Sequence, residues 1–248
     1  MATIAIGDIH GNREALDDLL TTLDPELRGG DTVVFLGDYI DRGPDSRGCI
    51  DSILRFQASG RARVVALLGN HEDWLLRTVD NPRRHSWLLG MEALDTIASY
   101  SAAAAVVMRR AMQEAGAKLF EKDYPLPYEA FFSAMPAEHL DFLAGLQVVH
   151  VADGAVFSHG GLDPAVTRLD EQSKDALVWG TRTFPDDYAG PDTVIYGHWD
   201  NAVLDKDGCP GPMQGHCSIG IDTIKHGVLT ALRWPDRRLF QSRRCRAS

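Results

Sequence analysis

TIAIGDIHG (residues 3–11), TVVFLGDYIDRG (32–43) and VVALLGNHE (64–72) share one design. Each is a short, largely β-branched run that reaches a glycine and then a side chain able to bind a metal ion. Between them Ala15, Leu16, Leu19, Leu20 and Leu23, and then Ile50, Ile53, Leu54 and Phe56, recur at helical spacing. The reading is strand 3–7, helix, strand 32–36, helix, strand 63–68, with Asn12 capping the first helix and Pro44 in the first turn of the second. Strands that alternate with helices argue for a parallel sheet with right-handed crossovers.

Two later runs, AVFSHGG (155–161) and TVIYGH (193–198), repeat the design. Ligands collect at the carboxyl ends of strands in open α/β sheets. The five runs therefore bring Asp8, His10, Asp38, Asn70, His71, His159 and His198 toward one place. Between the two sets, residues 85–145 are Ala- and Met-rich at helical spacing and carry no strand signal. They read as a helical insertion over or beside the site. Short runs at 147–151, 155–158, 193–196, 217–221 and 228–234 predict a second, mostly antiparallel sheet, and Arg237–Arg246 reads as a solvated basic tail. The whole chain, 1–248, reads as one domain.

Composition bounds the function. The 248 residues are 44% hydrophobic and 24% charged, ordinary globular values, and the net charge is −10. That charge disfavours a nucleic-acid partner. Cys49, Cys209, Cys217 and Cys245 form no CxxC pair or regular framework, which predicts reduced thiols in a cytoplasmic protein. No apolar run approaches the ~20 residues of a membrane span, so no membrane partner is expected.

Taken singly, the motifs are weak. Asp8 and His10 would face the same way on an extended segment and ligate one ion, with Gly7 and Gly11 letting the backbone crowd it; a Gly-Asp at a strand end is more often a turn. Asp38 has the chemistry to bridge two cations, and Arg42 that of a phosphate clamp. Glu72 fits either support of a ligand or a helical first turn. A lone histidine such as His159 or His198 is usually structural, and His85, His139, His150, His216 and His226 are read that way. Together the donors make mixed oxygen–nitrogen shells suited to Mn, Fe or Zn.

GDIHG, GDYIDRG, GNHE, HGG and the later GH resemble the phosphoprotein phosphatase family of metallophosphoesterases, in particular its small bacterial and phage members and the related symmetrical diadenosine tetraphosphate hydrolases. PDSRG, LVWGTR (177–182) and IDT…GVLTAL (221–232) extend the likeness over most of the chain, with 85–135 the least typical part. The resemblance implies a calcineurin-like α/β fold, two mixed β-sheets in a sandwich flanked by helices. It implies two divalent ions, Mn²⁺ first, with Asp8, His10 and Asp38 on one and Asp38, Asn70, His159 and His198 on the other. His71 paired with Asp41 would be the proton donor, and Arg42 and Arg182 the phosphate clamps. Trp199 stands where the family often has Thr or Ser, and packing is the favoured role for its ring.

Two cations of this kind generate a nucleophilic hydroxide that attacks phosphorus in line. The leading expectation is a phosphomonoesterase acting on serine/threonine, or tyrosine, phosphoproteins or small phosphoesters. The alternative is a symmetrical dinucleoside polyphosphate hydrolase, for which Trp87, Arg83, Arg84, Arg109, Arg110 and Trp199 are candidate contacts to a second nucleotide. A non-catalytic metal scaffold is disfavoured because every ligand, both arginines and the His71–Asp41 pair are present.

Overall fold

A computed structural model describes residues 1–121, 123–200 and 202–243. Its first sheet holds β1 (Thr3–Ile6), β2 (Thr32–Phe35) and β3 (Arg63–Ala66), paired in parallel in that order. The crossovers are α1 (Arg13–Leu23) and α2 (Ser46–Ala58). Beyond β1 the sheet continues antiparallel with β10 (Thr230–Trp234) and β11 (Arg238–Gln241). Two expectations are thereby corrected. Residues 228–234 belong to the first sheet, because β10 buries Ala231 on the helix side and Leu232 between the sheets. Within the proposed tail, β11 pairs with β10, buries Phe240 and ties Arg238 to Glu26 at 2.8 Å. The rest of that tail, 244–248, and Cys245 with it, lies outside the described residues.

The second sheet runs β4 (Val149–Ala152), β5 (Ala155–Ser158), β6 (Thr193–Tyr196), β9 (Ser218–Gly220), β8 (Pro210–Gln214), β7 (Ala202–Leu204). β5, β6 and β9 are parallel and the outer pairs antiparallel. The sequence reading missed the β7–β8 hairpin.

Period-two alternation divides the strands between three apolar layers. Ala5, Val34, Val65, Phe157, Ile195, Ile219 and Leu232 meet between the two sheets. Ile4, Ile6, Val33 and Phe35 face α1, α2 and the insertion. Val156, Val194 and Tyr196 face Leu177 and Phe184 on the far side. Full burial of one such side chain contributes about 1.5–3 kcal/mol, so each layer resists a one-residue slip that would turn its strand inside out.

The insertion is helical as expected, but broken: α4 (Ser86–Gly90), α5 (Leu94–Tyr100), α6 (Ala102–Ala115), α7 (Glu129–Phe132) and α8 (Ala137–Ala144). Ser101 caps α6 through Ala104 N–H. Two predicted cap roles differ. Asn12 donates from its side chain to the Ile9 and His10 carbonyls instead of capping α1, and Asp45, not Pro44, opens α2 by accepting from Gly48 N–H. Among the described residues, no helix is long and apolar enough to cross a membrane.

Candidate metal centre

Register puts the site on one level. Ile6 aligns with Phe35 and Phe35 with Ala66, while Ser158 aligns with Tyr196 and Tyr196 with Gly220. The residues just beyond these strand ends are Asp8, Asp38, Asn70, His159, His198 and Asp222. Asn70, His71 and Glu72 form the first turn of α3 (Asn70–Asp80). His10, Asp38, Asp41, Arg42 and His198 all have positive φ, between 45° and 69°. Left-handed backbone at non-glycine residues costs on the order of 1–3 kcal/mol each and clusters where function demands it. His10 is therefore not on an extended segment. Gly7 and Gly11 serve the neighbouring backbone of Ile221 and Gly43 rather than an ion. At Gly197 the approach is to a candidate site residue, since a Cβ there would run into Asp8 Oδ1.

Asp38 sits at the centre. Its Oδ2 lies 3.5 Å from His10 Nε2, and its Oδ1 lies 3.3 Å from His159 Nε2. Asn70 Oδ1 is 2.9 Å from both His159 Nε2 and His198 Nδ1. Two donor groups thus share Asp38: one with His10 and His71, one with His159 and His198. Asp8 is buried beside Asp38 and accepts the His198 N–H at 3.0 Å. The imidazoles are oriented from behind, as metal-binding histidines are: His10 Nδ1 donates to the Ile40 carbonyl, His159 Nδ1 to Leu36, and His198 to the Trp179 backbone. Burial holds His10 and His198 down to about 3, neutral and ready to ligate.

The carboxylates are crowded. Burial, then Asp222 and Asp38, push Asp8 well above the usual carboxylate range; burial, then Asp38, push Asp222 up to about 7. Asp222 Oδ1 is buried without a hydrogen-bond partner among the described residues. Buried like charges of this kind are offset by cations. Shared Asp38, neutral inward-facing imidazoles and an amide oxygen fit two divalent ions.

His71 Nδ1 is 2.8 Å from Asp41 Oδ2, and its Nε2 is buried, 3.8 Å from Asp38 Oδ2 and without a hydrogen-bond partner among the described residues. Burial opposes the imidazolium, but Asp38 and Asp41 outweigh it and the net shift is upward. The helical insertion fixes this pair, a role the sequence did not reveal. Trp87 Nε1 donates to Asp41 Oδ2 at 2.9 Å, and Thr96 Oγ1 to Asp41 Oδ1 at 2.5 Å. Trp87 is therefore buried and holds Asp41; it is not a surface for a second nucleotide. Glu72 supports the next loop, accepting the N–H groups of Asp38 (2.9 Å), Tyr39 (2.8 Å) and Ile40 (3.2 Å). Burial and then Asp38 push its carboxyl up to about 8, and a cation on Asp38 removes the second cause.

Arg42 is exposed, with Nη1 2.9 Å from His10 Nε2. Arg182 is exposed in the turn after α9 (Lys174–Trp179). That helix is anchored by buried Asp73, which accepts from Trp179 Nε1 (3.0 Å) and pairs with Lys174 and Arg77 (each 2.7 Å). Arg83 and Arg84 line a separate cavity of about 620 Å³ with Trp74 and Leu89, and exposed Arg110 pairs with Glu114. Of the histidines read as structural, His139 is enclosed by Tyr100 and Asp51, and His85 by Tyr128 and the Tyr124 carbonyl.

Residues 1–210 match the calcineurin-like phosphoesterase family model. The chain belongs to that family. It is a phosphate-ester hydrolase, and the family implies divalent ions at this centre. Curated relatives named symmetrical bis(5'-nucleosyl)-tetraphosphatase include those of Proteus mirabilis (27% identical, 97% of each chain) and Edwardsiella ictaluri (28%, 100% of this chain and 98% of the relative). Among solved structures, a candidate diadenosine tetraphosphatase is 22% identical over 97% of this chain and 92% of its own, at TM-score 0.63. The cold-active protein-tyrosine phosphatase of a psychrophilic Shewanella is 16% identical over 97% and 77%, at 0.53. Both structures share the fold.

Proposed function

We propose that this metallophosphoesterase hydrolyses dinucleoside tetraphosphates symmetrically, releasing two nucleoside diphosphates. The observation that carries phosphoryl hydrolysis is the pair of donor groups sharing Asp38, one of which includes His71, whose Nε2 has no hydrogen-bond partner among the described residues. The likeness over nearly the whole chain to curated relatives named symmetrical tetraphosphatases supports this substrate. In this reading Asp8, His10 and Asp38 hold one ion, and Asp38, Asn70, His159 and His198 the other. Their mixed oxygen–nitrogen donor set suits Mn²⁺, with Fe and Zn as the alternatives. The ions supply the acidity that makes water nucleophilic near neutral pH. Arg42 and Arg182 bind the non-bridging oxygens and offset transition-state charge. His71, oriented by Asp41, delivers a proton to the leaving oxygen from Nε2.

One feature favours the second reading, a serine/threonine or tyrosine protein phosphatase. A fully buried Asp41 that accepts from three side chains makes His71 a firmly held proton donor, and an alkoxide leaving group needs that proton more than a diphosphate does. The test is product analysis on diadenosine tetraphosphate and on phosphoserine and phosphotyrosine peptides with Mn-loaded protein, wild type and His71→Asn. ADP as the sole nucleotide product, with peptides cleaved slowly, supports the first reading. Fast phosphate release from peptides with the dinucleotide intact overturns it. On alkyl phosphates His71→Asn should lose about 10²–10⁴-fold in kcat, and much less on the anhydride.

A further inference from the structure

We infer that Trp199 is the stacking platform for a nucleobase of the substrate, an assignment that rests on the nucleotide reading above. Trp199 is 42% exposed, whereas Trp87 and Trp234 are buried and Trp74 and Trp179 half-buried against each other. An exposed indole is an ordinary event on a surface; its position here is not. It follows the ligand His198 directly and meets that imidazole edge-on, with ring centroids 4.4 Å apart and planes at 72°.

The ring is also held from below. A Cβ at Gly180 would meet Trp199 Cζ2 at 3.0 Å and Nε1 at 3.2 Å, so the indole lies on bare backbone that only glycine offers. Gly180 in turn packs on Gly160, next to the ligand His159. Trp199 N–H closes a tight turn on the Gly197 carbonyl at 2.8 Å. The indole is thus fixed by His198, Gly180 and its own turn, yet leaves a large apolar surface in solvent. A preorganised aromatic of that kind binds a planar ring at low entropic cost.

Its reach favours a nucleobase over a phosphotyrosine ring. His198 turns Nδ1 toward Asn70 and the donor group, and the indole meets the same imidazole edge-on with ring centroids 4.4 Å apart, which sets the imidazole between Asn70 and the indole as a spacer in the chain of contacts. A phenyl ring esterified to the reacting phosphate is one oxygen from phosphorus. A base in a nucleoside diphosphate half is a phosphate and a ribose farther out. Arg182 is exposed two residues past Gly180, the residue on which the indole lies, and a guanidinium there suits a phosphate of the same nucleotide half.

The test is calorimetric titration of ADP and of inorganic pyrophosphate into Mn-loaded wild type, Trp199→Ala and Trp199→Phe. Pyrophosphate has the same phosphates and no base. Stacking of one base on one aromatic ring predicts roughly a ten- to hundredfold weaker ADP affinity in Trp199→Ala. Pyrophosphate binding should be unchanged, and Trp199→Phe should recover most of the ADP affinity. An unchanged ADP affinity in Trp199→Ala overturns the assignment. So does equal weakening of ADP and pyrophosphate, which would mean that the indole only supports His198. If ADP alone weakens but wild type leaves dinucleoside tetraphosphates intact, the stacking assignment stands and the substrate reading falls.

Discussion

Replacing Thr96 by Val tests whether the helical insertion organises the proton donor. Thr96 is fully buried, and its Oγ1 lies 2.5 Å from Asp41 Oδ1, 2.8 Å from Asp41 N and 2.9 Å from Ser46 Oγ. Valine keeps the shape, so no cavity term enters. A hydrogen bond to a charged group contributes about 1.5–3 kcal/mol, and a buried oxygen left without a donor adds to its loss. Asp41 N retains Ser46 Oγ at 3.1 Å, and Asp41 Oδ2 retains Trp87 and His71. The net cost is about 2–4 kcal/mol, which for a chain of this size lowers Tm by roughly 4–16 °C. With Asp41 less firmly held, part of the general-acid factor is lost, roughly tenfold in kcat on an alkyl phosphate. The assay pairs thermal unfolding with kcat on an alkyl phosphate and on p-nitrophenyl phosphate, whose leaving group needs little proton help. An unchanged Tm, or equal rate losses on both substrates, would refute the reasoning.

Glu72→Gln keeps one carbonyl oxygen for Tyr39 and Ile40 but turns an NH₂ toward the Asp38 N–H. It should cost about 2–3 kcal/mol by denaturant titration and weaken metal binding; wild-type stability would deny Glu72 its supporting role. Metal-free protein should gain stability as pH falls from about 8.5 to 7. Glu72 (about 8) and Asp222 (about 7) then take up protons in the folded state only, because their unfolded values lie near 4. Below about 6.5 the trend should weaken, as the unfolded chain protonates His10 and His198 while the folded one, with both near 3, does not. Metal-loaded protein should lack the rise between 8.5 and 7, and chelator-treated samples compared with loaded ones by denaturant titration check it.

The strand-end residues were legible because their signal is local: an apolar run, a glycine, a donor. Asp38 could be read as a bridging group from its carboxylate, and its sharing between two donor groups from the family resemblance. What was hidden depends on contacts distant in sequence. Trp87 and Thr96 lie in a stretch with no chemical signature, and their partner Asp41 is 46 and 55 residues away. Asp73 acts on Trp179, 106 residues on. Asp222 follows a three-residue strand whose burial is set by β6. β10 resembles any buried strand, and only packing against β1 assigns its sheet. β11 did carry a signal, the apolar pair Leu239-Phe240, masked by the arginines around it. Trp199 was visible as a departure from the family pattern, but exposure and position came only with the fold.

The central claim is one carboxylate serving two ions. Elemental analysis of Mn-loaded, gel-filtered protein measures it directly, in wild type and Asp38→Asn. Two ions per chain are expected in wild type, and loss of both in the variant together with activity. Two ions retained in Asp38→Asn, or a single ion in wild type, would contradict it.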